Sequence, residues 1–454
     1  MTGLEDHMSH ELNIANVEKE IGAEKSRKFT IKWIAISIAA GVLIWLLPTP
    51  ADLGVRGHAF LALLATVVLL WTSEAIPIGV TSIGVGCGLI IFNIQSAKAA
   101  WEPYANRTVV FVFFIIMLGV MLGQTTIPNR LMAYILKVGG RNVKRLSFTL
   151  CMGATFLAAW THDATITIIL LYAMMPMFLK MGLSPGKSNS FTKHFMFMIP
   201  LGSACGGGAT FLGSGRSPAS AELLFKITGY NIGFMEYMLY QFVPSLALGL
   251  ATWLAVWIIY PPKIKELPME LAVEKMPPME KKEKQLAWIL AATFILWFLT
   301  DITKIHVSAI GGLFIVVCMM FNVVDWKRCL DEYPWNPIMV FGAGFSLGVA
   351  MLDTGAGNWL ATQIFPIFIG SSWPVVAAGA SALSALITSF MANAAATALL
   401  VPVVVPMADM AGTPVAPIAM AVPLATTFVL LVIGCPPTLI AYGFGYFSQW
   451  EAFK

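Results

Sequence analysis

Charge is what this sequence has least of. Of 454 residues only 11% are Asp, Glu, Lys or Arg, against 58% hydrophobic, and the mean hydropathy is +0.78. So few charges exclude an ordinary soluble globule, and with a net charge of only +4 no nucleic-acid partner is expected. Cysteine is scarce as well. The six residues Cys87, Cys151, Cys205, Cys318, Cys329 and Cys435 lie mostly within or beside apolar runs and lack metal-ligand spacing. That argues against a disulfide framework or a cysteine metal centre and for free, buried thiols. Histidine is also limited to six residues. No second histidine lies in a segment that would complete a metal site or a nucleophile set with His162, so an intramembrane enzyme is not expected.

What is present in quantity is apolar sequence. Runs such as Phe29 to Leu47, Phe242 to Tyr260 and Ser308 to Val324 recur along the whole length, and a bilayer core of about 30 Å is crossed by runs of this kind. The sequence therefore reads as an all-α polytopic membrane protein. Residues 1–28 are polar and read as a cytoplasmic tail with no cleavable signal peptide. With the N-terminus inside, Arg130 to Arg145, Lys180 to Lys193, the polar stretch 263–284, Lys327 and Arg328 all fall on the cytoplasmic side. The supposed outer segments 355–373 and 408–417 contain no Lys or Arg. This matches the positive-inside rule and points to a multi-pass protein of the cell (inner) membrane. The stretch 263–284 separates a first membrane half, 29–262, from a second, 285–454.

The two halves repeat each other. Trp160-Thr161-His162-Asp163-Ala164-Thr165 and Met391-Ala392-Asn393-Ala394-Ala395-Ala396-Thr397 both interrupt apolar stretches, with 230 residues from Asp163 to Asn393. Each is followed by a break, Gly213-Ser214-Gly215-Arg216-Ser217-Pro218 in one half and Gly434-Cys435-Pro436-Pro437-Thr438 in the other. Leu118-Gly119-Val120 recurs as Leu347-Gly348-Val349 at nearly the same offset, 229, which supports duplication. Counting crossings sends the first tip in from the cytoplasm and the second from outside, so the repeats are inverted. The arms flanking the tips predict re-entrant helical hairpins over 146–179 and 375–410. Such paired breaks mark a secondary transporter with its site between the repeats. A half-helix starting at a tip aims its free N–H groups at the centre, where an anion is favoured.

At these residues the chain resembles the divalent anion/sodium symporter family of the ion transporter superfamily. Trp71-Thr72-Ser73-Glu74-Ala75-Ile76-Pro77 is similar to its W-x-x-E-A-I-P signature, and Pro436-Pro437-Thr438 with Tyr442-Gly443 to its P-P-N…Y-G segment. The likeness runs from about residue 30 to the C-terminus. It implies a carrier of dicarboxylates, citrate or sulfate, an elevator mechanism, a homodimer, and one more membrane helix after Lys454. It also implies Ser-Asn-Thr at both tips, with asparagine and hydroxyls ligating sodium and holding substrate carboxylates. Here the tips read His162-Asp163-Ala164 and Ala392-Asn393-Ala394, and Ala158 stands where a sodium-binding hydroxyl is common, matched by Thr388 in the second half.

The candidate substrate site is therefore Asp163, Ala164, Arg216, Asn393, Ala394 and Pro436. A cation or coupling site would involve His162, Asp163, Thr388, Asn393 and the Gly434 carbonyl, with Thr388 and Asn393 as sodium ligands. A carboxylate at membrane depth is functional or compensated. Asp163 reads as the ion-pair partner of Arg216, which would supply a tethered positive charge in place of the first sodium. In an alternative reading Asp163 or His162 takes up a proton, and Arg216 is open to a second role as a two-pronged grip on the substrate. Asn393 also has a simpler reading, as a helix cap. The chain thus reads as a carrier of small organic anions, C4 dicarboxylates foremost, with reduced or no sodium dependence and at most one sodium or one coupled proton. A proton-coupled or exchanging carrier of sulfate or another anion is one alternative. An anion channel is another, disfavoured by the apolar hairpins.

Overall fold

The computed structural model describes residues 27–185, 189–267, 277–428 and 434–452. Most of the expected tail, the middle of the 263–284 stretch and residues 429–433 lie outside this set. Regular structure among the described residues is helical, apart from one bridge between Asn142 and Glu266. The first half contains α1 (Arg27–Leu46), α2 (Val55–Ser73), α3 (Ile78–Ile91), α4 (Arg107–Gly123), α5 (Ile127–Gly139), α6 (Val143–Ala158), α7 (Asp163–Lys180), α8 (Ser190–Gly207), α9 (Arg216–Thr228) and α10 (Phe234–Ile259). The second contains α11 (Lys281–Phe298), α12 (Val307–Met320), α13 (Trp335–Asp353), α14 (Ala356–Ile364), α15 (Trp373–Thr388), α16 (Asn393–Met410), α17 (Val415–Ala425) and α18 (Pro436–Gly443). Seven helices among the described residues are long and apolar enough to cross a membrane. With the composition, that makes the protein polytopic.

Helices at corresponding places in the two halves have equal lengths. α6 and α15 both have 16 residues, α7 and α16 both have 18, and α3 and α12 both have 14. The two helix-turn-helix pairs therefore run 143–180 and 373–410, a few residues beyond the arms expected from sequence. At about 1.5 Å per residue their first arms span roughly 24 Å, less than a bilayer core. Neither tip contains glycine or proline. Instead the chain turns extended at equivalent residues, His162 (φ −60°, ψ 129°) and Ala392 (φ −58°, ψ 140°), and restarts as helix at the next residue. Short polar side chains there compete with helical bonding of the backbone.

Buried apolar side chains form two clusters. One surrounds the first hairpin and α8, with Leu150, Leu170, Phe178, Phe195 and Tyr446 at its centre. The other takes in α4, α9, α13, the second hairpin and α17. Trp160 anchors the first tip edge-on against Phe294 and Phe298 of α11. The second tip is tied to α2, where Thr72 donates to the Phe390 carbonyl at 2.7 Å. Near the start of the 263–284 stretch, the Val143 N–H donates to the Lys265 carbonyl and the Leu267 N–H to that of Arg141, which binds it to the base of the first hairpin.

Candidate functional site

The first tip is closed by its own aspartate. Asp163, 1% exposed, begins α7, and its Oδ1 accepts from the Ala164 N–H at 2.8 Å and lies 3.5 Å from His162 Nδ1. Its N–H donates across to the Gly213 carbonyl at 3.0 Å, which joins the tip to the break before α9. Thr210 ties the same break to the other arm by donating to the Ala159 carbonyl. Oδ2 has no hydrogen-bond partner among the described residues and is pressed against α8, where a Cβ on Gly207 would approach it to 2.5 Å. Only glycine fits there.

Arg216, the first residue of α9, is fully buried. The Asp163/Arg216 ion pair suggested by the sequence is not formed. Among the described residues Arg216 has no carboxylate within 4.0 Å, and the ion-pair contact of Asp163 is with His162. The guanidinium bridges α8 and the second half instead. Nη2 donates to the Ala204 carbonyl and to Thr427 Oγ1 at 3.2 Å, while Nη1 lies 2.6 Å from the Asn393 amide oxygen. The reason is geometric. Asp163 is folded back over its own helix start and under Gly207, whereas the carbonyl, hydroxyl and amide oxygens lie where the α9 start points.

Asn393 opens α16 as Asp163 opens α7. Its amide orientation follows from its neighbours: with the oxygen toward Arg216, the nitrogen lies 2.8 Å from the carbonyls of both Gly434 and Thr426. Thr388 Oγ1 is 2.6 Å from the same amide. The three ligands expected of a sodium site, Thr388, Asn393 and the Gly434 carbonyl, are thus together, but the amide oxygen already faces a guanidinium. Cys435 is within electrostatic reach of both Asp163 and Arg216. Ala164 and Ala394 are half-buried next to the tip residues, and Pro436 begins α18, where its missing N–H costs the helix nothing.

Three participants escaped sequence reasoning. Thr426 and Thr427, just past the end of α17, and Ala204 in α8 all meet this cluster. A threonine pair inside an apolar stretch ahead of Gly434 was the available signal. Two acids near span ends are partnered, Glu222 by Arg107 at 2.9 Å and Asp353 by Gln95, which donates to it at 2.8 Å.

Comparison with known proteins agrees with the resemblance carried by the motifs. A transporter in Haemophilus influenzae with no assigned substrate is 24% identical, with 96% of this chain and 95% of that protein covered. The chloroplastic dicarboxylate transporter 1 of Spinacia oleracea is 23% identical over 81% of this chain and 69% of its own length. The sodium-dependent dicarboxylate transporter SdcS of Staphylococcus aureus is 22% identical over 91% and 86%. These are transporters and not enzymes. Because the model of the CitMHS citrate transporter family matches residues 66–427, the chain belongs to that family.

Proposed function

We propose that this protein is a secondary active carrier of small organic anions that works with little or no sodium, because Arg216 supplies at the second tip the positive charge a sodium ion would bring. The observation that carries this reading is the 2.6 Å contact between Arg216 Nη1 and the Asn393 amide oxygen in a fully buried setting. A cation ligated by that oxygen would face a guanidinium at close range, and like charges in a water-poor site repel strongly. The relatives named as dicarboxylate transporters support a carboxylate-bearing substrate, bound between the tips near Asp163, Ala164, Asn393, Ala394 and Pro436. In this reading the repeats are inverted and each hairpin re-entrant, the halves are 29–262 and 285–454, and the hairpins move as part of an elevator in a homodimer. The N-terminus lies in the cytoplasm and the bilayer is the cell membrane.

A second reading, proton coupling, is favoured by Asp163 Oδ2, which is buried with no hydrogen-bond partner among the described residues, and by His162 3.5 Å from Oδ1. Uptake of labelled carboxylates into proteoliposomes, in sodium or potassium and at two pH values, tests both. Sodium-independent uptake supports the first reading. A steep pH dependence that Asp163→Asn abolishes while exchange persists supports the second, and a flat profile removes it.

A further inference from the structure

An open cleft of about 470 Å³ lies at the base of the first hairpin, at the opposite end from its tip, lined by Asn142, Lys144, Arg145, Phe148 and Trp253. It sits in the seam between α6 and α10. Toward the tip the seam is shut, since a Cβ on Gly249 would come 2.5 Å from Thr155 Oγ1 and Phe156 stands edge-on to Phe242. At the base Trp253 is wedged into the seam, 8% exposed, and its Nε1 donates to Ser147 Oγ at 2.7 Å. Phe148 meets it edge-on with ring centroids 5.3 Å apart, so one wall of the cleft is aromatic. The rim is cationic. Lys144 and Arg145 are exposed, and among the described residues neither has a carboxylate within 4.0 Å. Lys144 Nζ lies 6.0 Å from the ring centroids of both Trp253 and Trp257, at the edge of cation–π reach.

The surroundings strengthen the sign. Residues 141–145 and 263–267, clamped together by the Val143–Lys265 and Leu267–Arg141 backbone bonds, carry five Lys or Arg against the single acid Glu266. The start of α6 is already capped, by Asn142 Oδ1 accepting from the Arg145 N–H at 3.0 Å, so what the cleft offers an anion is its side chains. From those cations Phe148 and then Phe156 lead along α6 toward the tip, both with exposed rings. Cationic rim first and apolar track second is the order that complements a phospholipid, anionic at its head and hydrocarbon behind. We propose that this cleft binds an anionic phospholipid, its headgroup phosphate between Lys144 and Arg145 and an acyl chain along Phe148 and Phe156. Basic pockets between membrane helices on the cytoplasmic side take headgroups of this kind. A zwitterionic choline lipid fits less well, because its own cation would face Lys144 and Arg145. With the N-terminus inside, as in the reading above, the lipid belongs to the cytoplasmic leaflet and braces the hairpin base against α10.

The test uses the full chain in mild detergent and depends neither on transport nor on orientation. Phosphatidylglycerol and phosphatidylcholine with the same acyl chains are titrated onto the wild type and onto Lys144→Gln/Arg145→Gln, with bound lipid counted by native mass spectrometry and stability followed by thermal shift. Each cation near a headgroup is worth about fivefold in affinity, so removing both should weaken phosphatidylglycerol by roughly tenfold or more and leave phosphatidylcholine within about twofold. The wild type should also prefer phosphatidylglycerol by roughly tenfold, and Phe148→Ser should weaken it with both cations in place. A wild type that binds the two lipids equally overturns the proposal even if no variant folds. A folded double variant with undiminished phosphatidylglycerol binding overturns it too. Glycerol phosphate, the headgroup without its chains, is the third arm: if it stabilises the wild type as much as phosphatidylglycerol at equal concentration, the cleft is a site for a soluble phosphate and the lipid assignment falls.

Discussion

Replacing Arg216 with serine should turn a sodium-indifferent protein into a sodium-responsive one. In the wild type the guanidinium lies 2.6 Å from the Asn393 oxygen, so a sodium ion on the same oxygen would sit about 4 Å from a unit positive charge. At an effective dielectric constant near 20 that is about 4 kcal/mol of repulsion, close to three powers of ten in affinity. Arg216→Ser removes the repulsion and leaves Thr388, Asn393 and the Gly434 carbonyl as oxygen ligands. It also deprives the Ala204 carbonyl, Thr427 and Asn393 of their donor, at about 1–3 kcal/mol for each buried acceptor left unmade. In potassium buffer the variant should therefore melt well below the wild type, and sodium should recover part of the difference. The assay is thermal unfolding in detergent across matched sodium and potassium chloride series. A wild type stabilised by sodium but not by potassium would refute the reasoning, and so would a folded variant indifferent to both.

Further outcomes follow from the same contacts. In double-mutant cycles on stability, Arg216 should couple to Asn393 by about 1.5–3 kcal/mol, as for a hydrogen bond to a charged group, and more weakly to Asp163; stronger coupling to Asp163 would contradict the observed partnering. Gly206→Ala should cut the yield of folded protein sharply, because its Cβ would come 2.0 Å from the Thr155 carbonyl and overpacking costs about 1–3 kcal/mol or more; a normal melting temperature would show that α6 and α8 can separate freely. Lys193 bonds the Glu451 carboxylate and holds its pKa below the usual 4.5. A depressed folded-state pKa gives stability that is present above the unfolded value and lost as pH falls through the folded one, so the 449–452 segment should loosen in acid below pH about 4.5. Hydrogen exchange there should lose that dependence in Glu451→Gln.

Much of the fold was legible because membrane helices declare themselves by uninterrupted apolar length, and a duplication leaves a fixed offset. The offset of Asp163 to Asn393 predicted both tips, and the helices restart at those residues. The hairpin ends were placed two or three residues short, since Val143 and Trp373 belong to the helices although the charges and turn residues beside them read as loop. The partner of Arg216 was misread for a different reason. Sequence offers Asp163 as the nearest opposite charge, but partner choice was decided by where backbone carbonyls and Gly207 lie once α8 and α9 pack. A carbonyl oxygen such as that of Ala204 carries no side-chain signature, and the amide of Asn393 is indistinguishable in sequence from a sodium ligand.

The most direct measurement is uptake by the wild-type protein, reconstituted in proteoliposomes, of a labelled carboxylate it is found to bind, with sodium replaced throughout by potassium at constant pH. If Arg216 stands in for the ion, initial rates should stay within about twofold. A rate that collapses without sodium and rises with two or more sodium ions per substrate would contradict it.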